Sequence, residues 1–220
     1  MKRKYQSMRL PIAILLLGTM LALGGCDKLR SYTDAEHVQR AKDFQAKGES
    51  KAAVIELKNA LNKNGSNAEA RWLLGEAYLD FEEGAQAEKE LKRAGDLGIN
   101  ADTLMIPLGR AYLLQGKYGE VLAEIAPGKQ ASARSRAHIL KLHGDAQVGL
   151  RKGKEACGLY EQAHQADTKF VDAYWGRVWC ATVKGDLNSA RTILEAALEI
   201  DRSNARTWVY LGDFARLERR

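Results

Sequence analysis

Proline is scarce in this sequence, with three among 220 residues. Little therefore interrupts helix, and Ala, Leu, Glu, Lys and Arg dominate the rest, so the composition favours helix almost throughout. The sequence also lacks the short motifs that carry chemistry: no G-x-S-x-G, no H-E-x-x-H and no G-x-x-x-x-G-K-S/T occurs. Gly149 to Lys154 is a weak echo of a phosphate loop, but its spacing is wrong and no strand precedes it. Of the four histidines (His37, His138, His143 and His164), His138 and His143 are five apart and do not share a helix face, which excludes an i, i+4 metal pair. They read as surface or packing residues. Acidic residues are spread singly along the helices, the pattern of solvated faces. With no nucleophile and no acid–base pair, the sequence excludes an enzyme, and no cofactor, metal or small-molecule substrate is expected.

Charge of one sign is also lacking once its location is considered. The net charge is +6, but Lys2, Arg3, Lys4 and Arg9 fall in the first 25 residues, which leaves +2 for the remainder. So balanced a body has no field to track phosphates, and a nucleic-acid partner is excluded.

The sequence has no apolar run of comfortable transmembrane length at its start. Leu10 to Leu23 spans 14 residues behind a short basic segment, the size of a signal-peptide core. Leu23, Gly24, Gly25 and Cys26 follow and resemble the bacterial lipobox. The resemblance implies cleavage after Gly25, with the Cys26 thiol carrying the lipid and acyl chains held at about 0.8 kcal/mol per buried CH₂. The membrane is then reached through this N-terminal lipid. Asp27, next to the lipidated cysteine, resembles the signal that retains lipoproteins at the inner membrane, facing the periplasm. Residues 26–33 form a tether, and Asp27 to Thr33 reach at most about 25 Å.

What is abundant is self-similarity. LLGEAYLD around Gly75 matches PLGRAYLL around Gly109 and YLGDFARL around Gly212. Small residues recur in pairs (Ala53 and Ala60, Ala87 and Ala94, Ala156 and Ala163, Ala190 and Ala197) with Leu57, Leu91, Tyr160 or Leu194 between them. The pattern resembles the tetratricopeptide repeat, which implies an all-α fold, an α-solenoid of antiparallel helix pairs over residues 34–220. The units are 34–67, 68–101, 102–136, 137–170 and 171–204, and 205–220 supplies either a cap helix or the start of a further unit. Gly48, Gly116 and Gly185 stand between paired helices, where a C-cap wants positive φ, and Asn67 and Asn204 stand as N-caps. Pro127 and Gly128 break the second helix of unit three, so PGKQASARSR reads as a loop or hinge that lets units four and five tilt.

In this family the first helices line a concave groove. Carried over by position, the groove residues are Trp72, Glu76 and Leu79, then Ile106, Arg110, Leu113 and Leu114, then Trp175, Trp179 and Val183. Tryptophan beside aliphatic side chains and an arginine is what a peptide hot spot needs; the alternative is that the tryptophans turn inward and pack between units. The family's Lys/Asn carboxylate clamp is not reproduced, since Val38, Lys42, Leu73 and Glu76 stand there. Cys157 and Cys180 lie on helices expected to pack together. They are either a disulfide in an oxidising periplasm or two small buried hydrophobes.

The opening LALGGCDKL with AEHVQRAKDFQAKGESKAAVIELKNALNKN, AEARWLLGEAYL and AEKELKRA resembles, more narrowly, the repeat lipoproteins of PEP-CTERM/exosortase systems, which couple protein sorting to exopolysaccharide production. The resemblance implies a membrane-tethered assembly scaffold with protein partners in the envelope. Members are several times longer, so the chain reads as an N-terminal portion or a truncated relative. An outer-membrane assembly or pilus-biogenesis lipoprotein is the rival, and Asp27 speaks against it.

Overall fold

The computed structural model describes residues 31–217; the leader 1–25, Cys26 and Asp27 lie outside them. Among the described residues there are eleven helices and no strand: α1 (Asp34–Ala46), α2 (Ser50–Lys63), α3 (Ala68–Asp80), α4 (Gly84–Asp96), α5 (Ala101–Leu114), α6 (Tyr118–Glu124), α7 (Ala133–Gly149), α8 (Gly153–Ala166), α9 (Val171–Val183), α10 (Leu187–Ile200) and α11 (Ala205–Leu217). Each odd helix packs on the even helix that follows it, and each even helix packs on the next odd one. Short connections make consecutive neighbours antiparallel, so the chain is an α-solenoid of helix pairs.

The turns recur because the backbone does the same thing five times. At the fifteenth position of each unit φ is positive: 74° at Gly48, 59° at Glu82, 69° at Gly116, 62° at Arg151 and 77° at Gly185. The N–H of the next residue returns to the carbonyl five residues back, at 2.8 to 3.0 Å in all five, which closes the helix end. Three units fill the left-handed position with the residue that adopts it freely, and two place a side chain there. N-caps hold the other ends. Asn67 Oδ1 accepts from the Ala70 N–H at 2.8 Å and Asn204 Oδ1 from the Thr207 N–H at 3.0 Å.

The core is a seam along the second helices. Ala53, Leu57 and Ala60, Ala87, Leu91 and Ala94, and Ala190, Leu194 and Ala197 are wholly buried, and Ala156, Tyr160 and Ala163 nearly so. Burying each large member contributes about 2 kcal/mol. The first helices meet this seam where they carry glycine. A Cβ added at Gly75 would lie 2.7 Å from Leu91 Cγ, and one at Gly144 would lie 2.5 Å from Tyr160 Cε1. Closeness of the two backbones is thus what lets the large side chain seal the pair.

Two acidic residues depart from the expectation of solvated faces. Glu56 and Glu90 are buried, at the same repeat position. Glu56 binds His37 Nδ1 at 2.6 Å and Arg40 at 2.9 Å, and Glu90 accepts from Arg71 at 2.5 Å. Burial raises the Glu56 carboxyl, but hydrogen bonds from Arg40 and His37 outweigh it and lower its pKa. These carboxylates clamp first helix to second, and no pattern within one helix reveals them, because the cation of each lies on another.

The expected hinge is also corrected. The irregular segment is shorter than PGKQASARSR, because Ser132 Oγ accepts from the Ser135 N–H at 3.0 Å and α7 starts at Ala133, ahead of the expected unit boundary at 137. Residues on both sides of the loop share one core: Tyr112, Val121 and Ile125 pack with Ile139, Leu142 and Ala146. The Nε2–H of His143 donates to the Ile125 carbonyl at 2.6 Å, which explains a histidine where the repeat has an aliphatic residue. The break expected in the second helix of unit three is present, since α6 has only 7 residues. Residues Asp34–Arg220 remain one compact unit.

Units two and three are joined by charge. The Glu88 carboxylate accepts from Lys117 at 2.6 Å, from Gln115 at 2.8 Å and from Lys92 at 2.8 Å. Burial pushes this carboxyl up, but the bonds from Lys117, Lys92 and Gln115 outweigh it and hold the pKa at about 2.

Two outcomes follow from the turns and this bridge. Glu82→Gly relieves a left-handed side chain and raises stability by up to about 1 kcal/mol, while Gly116→Ala lowers it by about 1 kcal/mol, both read from urea midpoints. A depressed carboxyl contributes stability that is present above its unfolded value of 4.5 and is lost as pH falls toward about 2. The stability difference between the native chain and Glu88→Gln should therefore shrink across that interval in urea titrations at stepped pH.

Candidate concave groove

The first helices α3, α5, α7, α9 and α11 share one face, which opens as a groove. Its larger hollow, about 470 Å³, is lined by Leu79, Ile106, Arg110, Leu113, Leu114, His138, Lys141, Leu142, Asp145, Asp172 and Arg206, among others. A second hollow, about 210 Å³, is lined by Trp175, Trp179, Tyr160 and Tyr210 together with the same Lys141, Asp145 and Arg206. Shared walls make the two a continuous surface.

Of the carried-over residues, the structure gathers Ile106, Arg110, Leu113, Leu114, Trp175 and Trp179 on this face. Arg110 is exposed, Ile106 and Leu113 are half-buried, and Leu114 is 44% exposed. Leu79 also lines this hollow, as its floor, at 3% exposure. Trp72 packs instead against the core clusters of the first two units, the inward alternative, and its indole nitrogen has no partner in hydrogen-bonding geometry. Neighbouring Glu76 has a raised pKa: burial is the main cause, opposed by the nearby Trp72 indole N–H and by the charge of Arg110. Val183 lines a separate apolar hollow of about 360 Å³ with Trp179, Cys157 and Cys180.

The two tryptophans of α9 are held rather than loose. Trp175 Nε1–H donates to Thr207 Oγ1 at 3.3 Å, and the Arg206 guanidinium lies 4.0 Å from its ring centroid. Trp179 meets Tyr160 edge-on at 6.4 Å. Both keep part of their surface in the groove. Behind them the structure joins Cys157 on α8 to Cys180 on α9 as a disulfide, with Cα atoms 5.8 Å apart.

The groove is zwitterionic. Lys141 Nζ lies 2.6 Å from Asp145, and the other oxygen of Asp145 accepts from the Tyr160 hydroxyl at 2.9 Å. His138 Nε2 lies 3.8 Å from Asp172, and its ring meets Phe170 edge-on at 4.4 Å. Burial pulls the His138 pKa down; Asp172 opposes this, and Lys141, Arg134 and Arg110 reinforce it. Lys141, Asp145, Asp172 and Arg206 join the groove as well, and so does His138, expected only as a surface or packing residue; all five stand at the groove positions of the repeat continued into units four to six. Among the described residues no group of three His, Cys, Asp or Glu is placed to hold a metal.

No protein-family model matches the sequence, and no curated protein is similar to it. Solved structures are similar in shape. The thermophilic TPR protein TTC0263 of Thermus thermophilus superposes with a TM-score of 0.65 at 16% identity, over 83% of this chain and 98% of that one. Pseudomonas aeruginosa PilF matches with a TM-score of 0.61 at 16% identity, over 84% of each chain. MamA of Desulfovibrio magneticus RS-1 matches at 0.59 and 17% identity, over 78% of this chain and 97% of that one. By fold, the chain is a tetratricopeptide-type α-solenoid.

Proposed function

We propose that the chain is a lipid-anchored periplasmic scaffold that captures a protein partner in its concave groove and works in exopolysaccharide and PEP-CTERM protein-sorting assembly. The continuous groove carries this reading. Half-buried Trp175 and Trp179, flanked by Arg110 and Arg206, offer rigid aromatic surface with charged borders, the composition of a peptide hot spot. The lipobox at Cys26, the aspartate at position 27 and the likeness of the first repeat to those sorting-system lipoproteins support the place and the assembly. An outer-membrane assembly or pilus-biogenesis lipoprotein is the second reading. The similarity to PilF is compatible with it but, at 16% identity, speaks for fold alone.

Two experiments test the proposal. Trp175→Ala combined with Trp179→Ala should weaken partner capture from envelope extract more than thirtyfold, as loss of a hot spot of about 2 kcal/mol or more implies. Circular dichroism should remain helical, and Arg110→Glu, at an exposed site, should weaken capture on its own. Undiminished capture by both variants would remove the groove from the function. In gradient fractionation the native chain should band with the inner membrane and Cys26→Ala should be released to the periplasm. Asp27→Ser should move outward, and native protein in the outer membrane would favour the second reading.

A further inference from the structure

The corner where a second helix starts beside the end of the next first helix is closed at two junctions and open at a third. Between units two and three, a Cβ added at Gly84 would lie 2.8 Å from Leu114 Cβ and 3.2 Å from Gln115 Cγ. Between units three and four, the Tyr118 ring covers Gly149. Between units four and five, Gly153 holds the repeat position of Gly84. Among the described residues only the Trp179 ring comes within 4 Å of its Cβ site, at 3.4 Å. Val183 and Lys184, which hold the positions of Leu114 and Gln115, stay away, and Val183 is 66% exposed. What remains is the apolar hollow of about 360 Å³ walled by Trp179 and the Cys157–Cys180 disulfide. Helices continue on both sides of this junction, so the opening does not come from an end of the chain.

Charge is also unbalanced there. Lys154 and Lys184 stand at the rim, both exposed, and among the described residues no acid lines the hollow. The equivalent corner of units two and three holds Glu88, which accepts from Gln115 and Lys117. Cys157 stands in the place of Glu88 and is bonded to Cys180, so that position offers Lys184 no carboxylate. Lys184 acts on the Asp186 carboxyl by charge alone, behind two hydrogen bonds from Ser189 at 2.6 and 3.0 Å. We propose, resting on the groove reading, that this corner seats an apolar side chain of the captured segment, with a neighbouring aspartate or glutamate paired to Lys154 and Lys184. Trp179 ties corner to groove, because it lines both this hollow and the one that holds Trp175. Trp175 and Trp179 are four residues apart on α9, about 6 Å along the helix, which extended chain crosses in about two residues. A segment lying across Trp175 therefore delivers its next side chain on that face into the corner. Walls of aromatic ring and sulfur take a hydrocarbon side chain, and the two ammonium groups take its acidic neighbour. A basic neighbour is rejected by the same lysines.

Selection by the full chain in detergent from random decapeptides tests this. The peptides are fused to a phage coat protein through their C-termini, so no free terminal carboxylate takes part. Retained peptides should carry Leu, Ile or Phe beside Asp or Glu. Binding of a synthesised, C-terminally amidated hit should weaken at least tenfold when Lys154→Glu is combined with Lys184→Glu, both at exposed sites. Gly153→Leu, whose side chain fills the hollow, should do the same, and both variants should keep native helicity. The charge-reversed chain should select Lys or Arg in place of the acid. Hits without acidic enrichment overturn the corner and leave the groove standing. So does a hit weakened by Trp175→Ala but by neither corner variant. No retained peptide overturns both. Dodecanoate binding that the corner variants abolish, with peptide binding unchanged, overturns the proposal in favour of an anionic lipid.

Discussion

The structure depends on close approach between helix backbones. A large side chain on each second helix is sealed against the facing first helix, which carries glycine at that height in units two, three and four, and Ala41 and Val178 in units one and five. Gly75 lies under Leu91 and Gly144 under Tyr160, and the flanking alanines of the second helices give the next unit in line the same close approach. Because each helix packs mainly on its neighbours in sequence, stability is nearly a sum of local terms between neighbours. The concave face follows from it: first helices drawn tightly to their partners line one side of the stack, and their free side chains form the groove.

Polar and covalent links differ along the stack. In units one and two, Glu56 and Glu90 reach cations on the preceding helix and clamp the pair from within. Unit three replaces the ion pair with a hydrogen bond from an uncharged donor, the Tyr112 hydroxyl, to the Glu124 carboxylate. Leu159 and Ile193 occupy the same repeat position in units four and five, where no carboxylate exists to do this. There the Cys157–Cys180 disulfide ties α8 to α9 behind Trp179, at the segment where the groove is most aromatic.

The fold was legible from small residues in fixed phase, since a repeat multiplies a weak signal. The turns were legible at Gly48, Gly116 and Gly185 but not at Glu82 and Arg151, where identity hides a backbone that only the repeat phase discloses. The groove was legible in part. Position alone found Leu79, Arg110, Trp175 and Trp179 yet misplaced Trp72, which packs against the core clusters of the first two units. Burial of Glu56, and the role of His143 in bridging the loop after α6, were hidden for a different reason. Each depends on a partner at least 16 residues away, which no local pattern records.

The shortness of α6 has a mechanical consequence. Pulled between its two ends, a stack of nearest-neighbour contacts bears load in series, so the link with the least contact yields first. Among the described pairs that link is unit three, where the second helix has 7 residues in place of the 13 or 14 found in the other second helices. Beyond it, the cross-link between Cys157 and Cys180, 23 positions apart, removes the span between them from what can be drawn out. Under tension the molecule is thus an extensible spring near its middle, followed by a segment with a covalent stop.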